Sequence, residues 1–258
     1  MRTFRTDLHI HTLLSPCGDL EMSPAQIVSL AVQRGLNIIG ITDHNSTKQC
    51  EVVWELGQKS GLTVIPGCEA TSREEVHCLC LFEDFDVLRV FQDFLDRHLT
   101  IIPNKPELLG YQVVVDLDEN ILEEIENYLG ATLDVSVEEI EQKVHELSGI
   151  FIPAHIDRPR NSLFSNLGFI PPELKVDALQ ISKGADENAI RDRYGIDQQI
   201  TLVKFSDSHF PDDLGKTYTI FEMEEPTFEE IRKALKKENG RRSLIPEASP
   251  KPPPKEGA

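Results

Sequence analysis

The stretch Asp7-Leu8-His9-Ile10-His11-Thr12, with the turn Ser15-Pro16-Cys17-Gly18-Asp19 behind it, decides how the rest of the chain is read. Phe4, Leu8 and Ile10 supply the apolar content of a strand, and Pro16 and Gly18 end it. Residues two apart on a strand face the same side, so His9 and His11 present two imidazoles together near the strand's end. Imidazole is the commonest metal-binding side chain. A single His-x-His motif also fits paired surface or core histidines; the repetition of the theme along the chain favours metal.

Working outward, Ser23-Pro24-Ala25-Gln26 reads as a capped helix start with Gln26 completing a capping box, and Gly35 stops that helix. Asn37 to Thr42 is a strand too apolar to face water on either side, and it ends on Asp43-His44-Asn45. A helix over about Ser46 to Gly61 leads to strand Leu62 to Pro66, which ends on Gly67-Cys68-Glu69. Val76 to Phe82 is a short strand with His77 at its start, and Val87 to His98 is helical. Tyr111 to Asp116 suggests a hairpin strand. Ile121 to Leu129 and Val137 to Leu147 suggest helices, the second opened by the capping box Ser136-x-x-Glu139. Strand Ile150 to Ala154 ends on His155. Asp177 to Ser182 is a strand, Asp186 to Tyr194 a helix, and Ile200 to Phe205 a strand ending on Ser206-Asp207-Ser208-His209. Strand Thr217 to Phe221 and a helix from Thr227 to about Asn239 close the series. Strands alternating with helices imply parallel βαβ units. About seven main strands approach the number that closes a barrel. The fold expected is therefore α/β, a distorted seven-stranded (β/α)7 TIM-like barrel over residues 1–245 with a small insertion at about 106–133. A tail, 246–258, is Pro/Lys-rich from Ser249 onward and is expected to be disordered.

The chain has 258 residues, 40% of them hydrophobic, so it is long enough for a sizeable core. Its net charge of -18 argues against a general nucleic-acid or membrane binder. A phosphorylated substrate remains compatible, because bound cations dominate the field inside a cleft. The five cysteines, Cys17, Cys50, Cys68, Cys78 and Cys80, form no CxxC pair and read as free thiols. With no apolar leader and no apolar run of membrane-spanning length, the sequence reads as that of a soluble cytoplasmic protein. No Gly-rich phosphate loop follows the first strand, which weakens a nucleotide-cofactor reading.

Six of the eight histidines fall where a strand starts or ends: His9, His11, His44, His77, His155 and His209. Asp43, Glu69 and Asp207 share those positions. In α/β barrels the C-terminal strand ends carry the chemistry, so several strands aim imidazoles and carboxylates into one bowl. Such N and O ligands suit two or three divalent ions, Zn, Mn or Fe, and paired ions form a phosphoester-hydrolysis clamp.

The pattern His9-x-His11-Thr12, Ile41-Thr42-Asp43-His44-Asn45, Gly67-x-Glu69, His77, Pro153-Ala154-His155 and Ser206-Asp207-Ser208-His209 resembles the PHP (polymerase and histidinol phosphatase) superfamily over about residues 5 to 220. The resemblance implies a distorted seven-stranded barrel, a trinuclear metal site and phosphoester hydrolysis. It further implies one ion held by His9, His11, Glu69 and Asp207. A second would share Glu69 as a bridge and add His77 and His155. A third would use His44, His209 and an acidic residue of the first turn, for which Asp19 is the candidate. Two departures stand out: Pro16-Cys17-Gly18 intervenes before Asp19, where many members place an aspartate directly after the turn serine, and Lys204-Phe205 stands where a small residue often precedes Ser-Asp-x-His. The insertion and the loop Asp157 to Ser162 are candidates for a lid or substrate wall.

Blander readings apply elsewhere. His98 fits a solvated helix end, and His145 a helix surface without carboxylate partners. Asp43 suits direct ligation and support of a neighbouring ligand equally. Cys78 and Cys80 fit a buried pair better than a soft-metal site, and Cys17 a packed turn residue better than a ligand. Arg158 and, less strongly, Lys183 suit either a grip on substrate phosphate or an ion pair. The acidic run from Asp118 to Glu126 reads as a solvated helix face.

The function expected is metal-dependent hydrolysis of a small phosphomonoester or nucleotide. Glu69 and Asp207 would act at the ions, and His209 would serve as a possible proton donor to the leaving oxygen. Two alternatives stand beside it: a nuclease trimming short oligonucleotides, with Arg158, Arg160, Lys183 and Lys204 as the local basic contributors, and a non-catalytic metal-binding module. Oligomeric state is not legible.

Overall fold

The first strand, β1 (Arg2–Ile10), is buried along its second half and is the axis of the computed structural model, which describes residues 1–246. After it come α1 (Pro24–Gln33), β2 (Ile38–Ile41), α2 (Cys50–Ser60), β3 (Thr63–Thr71), β4 (His77–Leu81), α3 (Phe85–His98), α4 (Pro106–Leu109), β5 (Val113–Val115) and β6 (Ile121–Glu124). The chain continues through α5 (Val137–Glu146), β7 (Ile150–Pro153), α6 (Leu163–Asn166), β8 (Leu179–Gln180), α7 (Glu187–Tyr194), β9 (Leu202–Val203), β10 (Thr219–Met223), α8 (Phe228–Leu235) and β11 (Arg242–Leu244). Apart from Pro246, the tail expected to be disordered lies outside the described residues.

A curled seven-stranded sheet runs β11-β10-β1-β2-β3-β4-β7, with β8 and β9 paired separately. The architecture is α/β, but it departs from a closed barrel of parallel strands. Only β1–β2, β2–β3 and β8–β9 are parallel; β3–β4, β4–β7, β1–β10 and β10–β11 are antiparallel. The β8–β9 ribbon joins its neighbours through a few backbone hydrogen bonds on each side. The Ile156 N–H donates to the Gln180 carbonyl at 2.9 Å, and Ser208 bridges to β1 at Ile10. The first half of β1 thus pairs with β10, while its second half meets the segment after β9.

Both faces of the sheet are buried, which explains the continuous apolar runs of β2 and β7. Ile39 and Ile41 of β2, Cys78 and Cys80 of β4 and Phe151 of β7 pack in one core cluster with Ile27, Val53 and Phe91 of the surrounding helices. Ile38, Leu79, Leu81, Ile150 and Ile152 belong to a second cluster with Phe221 and Ile231. Cys78 and Cys80 are therefore packed core residues, and all five cysteines are free.

The helix termini follow their caps. Ser23 accepts the Gln26 N–H, Ser136 and Glu139 form the full capping box, and Asp84 and Asp186 cap α3 and α7. One expected helix is absent: Ile121–Glu124 is a strand paired antiparallel with β5. The run Ile-Leu-Glu-Glu suits a helix, but the turn before it prevails. The Asp116 carboxylate accepts the N–H groups of Asp118 and Asn120 at 3.0 and 2.8 Å, Glu119 sits at φ +64°, and the chain reverses. The second helix also begins four residues late, at Cys50, because Thr47 and Gln49 are spent on tertiary hydrogen bonds to Gln92 and Val115. Among the described residues no helix is long and apolar enough to cross a membrane.

The segment expected as an insertion lies on the first turn. Leu13 packs with Val113 and Val115, and Leu14 with Val114 and Leu129. Gly110, at φ +98°, touches Pro16 so closely that a Cβ there would stand 1.8 Å from the Pro16 carbonyl oxygen.

Candidate metal centre

Three strand ends and two reversals bring the site together. His9 and His11 come from the end of β1, and His44 follows β2 and bridges to Glu69 of β3. His77 opens β4, yet β4 runs backwards against β3 with Thr71 opposite His77, so a strand start lies at the rim where other strands end. His155 follows β7, and Asp207 and His209 lie in the segment that meets β1. Asn45, His155 and Asp207 sit at φ +46°, +30° and +49°, three left-handed non-glycine residues at one rim. Such conformations cost about 1–3 kcal/mol each and gather at functional sites.

Glu69, 1% exposed, divides the imidazoles between its two oxygens. Oε1 lies 3.3 Å from His9 Nε2, 3.1 Å from His77 Nδ1 and 3.2 Å from His155 Nε2. Oε2 lies 3.4 Å from His11 Nε2 and 3.3 Å from His44 Nδ1. Asp207 Oδ1 stands 3.1 Å from His9 Nε2 and 3.2 Å from His11 Nε2, while its Oδ2 takes Arg158 at 2.6 Å.

The outer contacts fix which nitrogen faces inward. The His9 Nδ1–H donates to Gln180 Oε1 at 2.8 Å, and the His11 Nδ1–H donates to Ser15 Oγ at 2.9 Å. Each neutral ring then turns an Nε2 lone pair to the centre, and the two Nε2 atoms stand 3.1 Å apart. Lone pairs so close repel unless a cation or proton lies between them. His44 Nδ1, Glu69 Oε1, His77 Nδ1 and Asp207 Oδ1 are all buried without a hydrogen-bond partner, a costly arrangement if nothing is bound. Separations of 3.1–3.4 Å match neighbouring ligands on one ion at bond lengths of about 2.1 Å. The residues therefore fit divalent metal. Three sets present ligand atoms within 4.8 Å of one another: His9, His11, Glu69 and Asp207; His44, Glu69 and His77; and His11, His44 and His209.

The electrostatics agree. Burial opposes charge on His11, but the Asp207 and Glu69 carboxylates beside it overcome that and raise the imidazole to about 10. Burial also opposes charge on Glu69, and His77 and His9 outweigh it, holding the carboxyl well below its ordinary range. Asp207 is likewise held low, mainly by His9 against its burial. Two anions ringed by imidazoles thus draw positive charge inward. Burial pushes His44 and His155 down and takes His209 to about 4, so these rings stand neutral, as ligands do.

Asp19 lies apart from these sets. Its carboxylate accepts the Glu21 N–H at 2.8 Å, while its own N–H donates to the His209 carbonyl. In the ligand sets it is His11 that stands beside His44 and His209. Of the second expected set, His77 and His155 both approach Glu69 Oε1, at 3.1 and 3.2 Å, and His44 joins Glu69 and His77 from the other side. Lys183 is exposed beyond β8. Lys204 is turned away, its Nζ donating to the Ala185 carbonyl at 2.6 Å. Asp43 accepts from Thr12 and Ser15 and touches no imidazole, which favours support over ligation.

Sequence reasoning did not single out three supporting residues. Gln180 comes from a strand 171 positions away from His9 and has no local signature. Ser15 carried a weak one, four residues after His11 in a turn. Asp7, fully buried, accepts the N–H groups of Ser206 and Gly215 at 3.0 Å each and ties the Asp207 segment to β1. Burial raises its carboxyl to about 6.

The family model described as PHP domain matches residues 7–219. The chain belongs to the PHP domain family. A second model, described as PHP-associated, matches residues 206–239. PHP domains are metal-dependent hydrolases that use divalent ions, in keeping with the ligand sets above. Among curated proteins, an uncharacterized protein of Methanocaldococcus jannaschii is 33% identical over 89 residues, 31% of this chain and 52% of that protein. The phosphoribosyl 1,2-cyclic phosphate 1,2-diphosphodiesterase of Eggerthella lenta is 31% identical over 80 residues, 29% of either chain. Among solved structures, the lesion-specific endonuclease PfuEndoQ of Pyrococcus furiosus superposes with a TM-score of 0.74 at 25% identity. That superposition covers 94% of this PHP chain and 58% of the endonuclease. The alignments thus take in about half or less of the curated relatives and little more than half of the endonuclease.

Proposed function

We propose that the chain is a metal-dependent phosphoesterase that hydrolyses a small phosphomonoester or nucleotide. The observation that carries this reading is the convergence of His9 and His11, each fixed with Nε2 inward, on the orphaned buried oxygens of Glu69 and Asp207. Two or three ions, Zn, Mn or Fe, would be held by His9, His11, His44, Glu69, His77, His155, Asp207 and His209. Such ions, when bound, supply charge for the phosphoryl oxygens and acidify a water, the chemistry that phosphoester hydrolysis needs. Glu69, with one oxygen toward each group of imidazoles, would be the carboxylate the ions share. Asp207 shares the His9–His11 position. His209, 22% exposed, would be the most exposed of these ligands, and its Nδ1 is engaged by the Asp207 carbonyl. Arg158, 40% exposed and already against Asp207, is placed to grip a phosphoryl oxygen bidentately, and Lys183 offers charge farther out.

A second reading, a nuclease acting on short oligonucleotides, draws support from the likeness to PfuEndoQ along nearly the whole chain. The charge of -18 and the withdrawal of Lys204 weigh against a long polyanion. A hydrolysis screen decides between the two. The metal-loaded chain is assayed on an aryl phosphate, nucleotides and short single- and double-stranded oligonucleotides. Turnover of the monoesters supports the first reading. Cleavage confined to oligonucleotides replaces it with the second.

A further inference from the structure

Ser15 lies in the first turn, fully buried, with three polar neighbours. Its hydroxyl accepts the His11 Nδ1–H at 2.9 Å and the His44 backbone N–H at 3.2 Å, and donates to Asp43 Oδ1 at 2.7 Å. The Asp43 carboxylate also accepts the Thr12 N–H at 2.7 Å and the Thr12 hydroxyl at 2.8 Å. Thr12 Oγ1 in turn accepts the Leu14 N–H, so its own proton is free for Asp43. A hydroxyl has one proton, and a carboxylate has none to give. The Ser15 proton is therefore committed to Asp43, and toward His11 the same oxygen can only accept. One turn hydroxyl thus fixes the His11 tautomer, orients its ring and anchors the backbone of His44.

His9 has no such wiring. Its Nδ1–H ends on the neutral amide of Gln180. The carboxylate behind His11 makes that ring the more basic ligand of the pair. His11 and His44 each belong to two of the three ligand sets and share one of them.

We propose that Ser15 is a positioning residue for the metal centre, relaying the charge of Asp43 to His11 and holding His44 beside it. The inference rests on the metal-dependent reading above. The test is a Co²⁺ titration of the full chain, read by ligand-field absorption and by competition with a chromophoric chelator. Ser15→Ala is expected to weaken the His11-dependent ion about 10- to 100-fold and to shift its absorption band, and Ser15→Thr to restore both. Asp43→Asn keeps an Oδ1 acceptor for Ser15 and Thr12 while removing the charge, and its loss is expected to be smaller than that of Ser15→Ala. A folded Ser15→Ala chain with wild-type Co²⁺ affinity and spectrum overturns the relay while leaving the metal centre standing. Should Ser15→Ala not fold, an Asp43→Asn chain with unchanged affinity overturns the relay instead. A wild-type chain that takes up no Co²⁺ overturns both.

Discussion

Strand β7 carries histidine and carboxylates at both ends, and the two ends behave in opposite ways. At its far end His155 joins the rim, where imidazole nitrogens and carboxylate oxygens crowd together with partners missing. At its start, the Phe151 N–H donates to Asp177 at 2.8 Å, and Asp177 accepts from His145 Nε2 at 2.9 Å. The other nitrogen of that ring, Nδ1, meets Glu141. His145 thus has a carboxylate on each side of the ring, against the expectation of a solvated residue without one. Its hydrogen bond to Asp177 is the main cause of a raised imidazole. This basal cluster is complete: every nitrogen is used, and the two acids face opposite edges of the ring, so no lone pairs converge. The same residue types, histidine, aspartate and glutamate, stand at both ends. What marks a metal site is the direction of the unused lone pairs.

The largest test of this contrast is Glu69→Gln, which keeps the shape of the rim and removes its central charge. It is expected to cut turnover about a thousandfold, equivalent to about 4 kcal/mol, and to lower bound metal measured by elemental analysis. Retained activity would erase the distinction drawn here. Metal removal comes next. Chelation of a chain loaded at about a hundred times its dissociation constant should withdraw about 2.7 kcal/mol of stability. Asp177→Asn should suffer the same drop on chelation, because distant sites add; an altered drop would mean the two ends communicate.

Arg158→Ala is expected to raise KM for a phosphomonoester about tenfold, with metal content unchanged. A fall in metal content instead would make Arg158 a support for Asp207 rather than a substrate contact. The smallest effect belongs to the base. His145 is raised above its unfolded value, so its contribution to stability is complete below about pH 6.5. That contribution fades as pH rises through the raised value. His145→Gln should flatten this part of the stability curve in thermal melts, shift Tm by no more than about 4 °C, and leave turnover alone.

Much of this was legible before any coordinates. The strands that bear His9, His11, His44, Glu69 and His155 announce themselves by apolar runs cut off by turn residues, and burial of both sheet faces requires such runs. Strand direction was not legible. Nothing in Val76 to Phe82 says that β4 turns back on β3, although that reversal is what carries His77 to the rim. The hairpin at Ile121 was missed because side-chain periodicity favoured a helix, while one carboxylate, Asp116, favoured a turn. Asp19 reaches the His209 backbone through its own N–H, and its carboxylate caps the next turn at Glu21, contacts that its place in the sequence does not reveal. Of His145's two partners only Glu141, four residues earlier on the same helix, is within reach of sequence spacing; Asp177 lies 32 residues away.

Asn45 adjoins His44, and its side-chain amide donates to the carbonyls of Leu129 and Ala131 at 2.7 and 2.8 Å, while its Oδ1 accepts the Thr71 N–H. The segment packed on the first turn is thereby tethered to the neighbour of His44. A designer who grafted a different segment there would have to reproduce those two carbonyls in place. A graft that kept the outline but lost them would loosen His44 before any new substrate arrived.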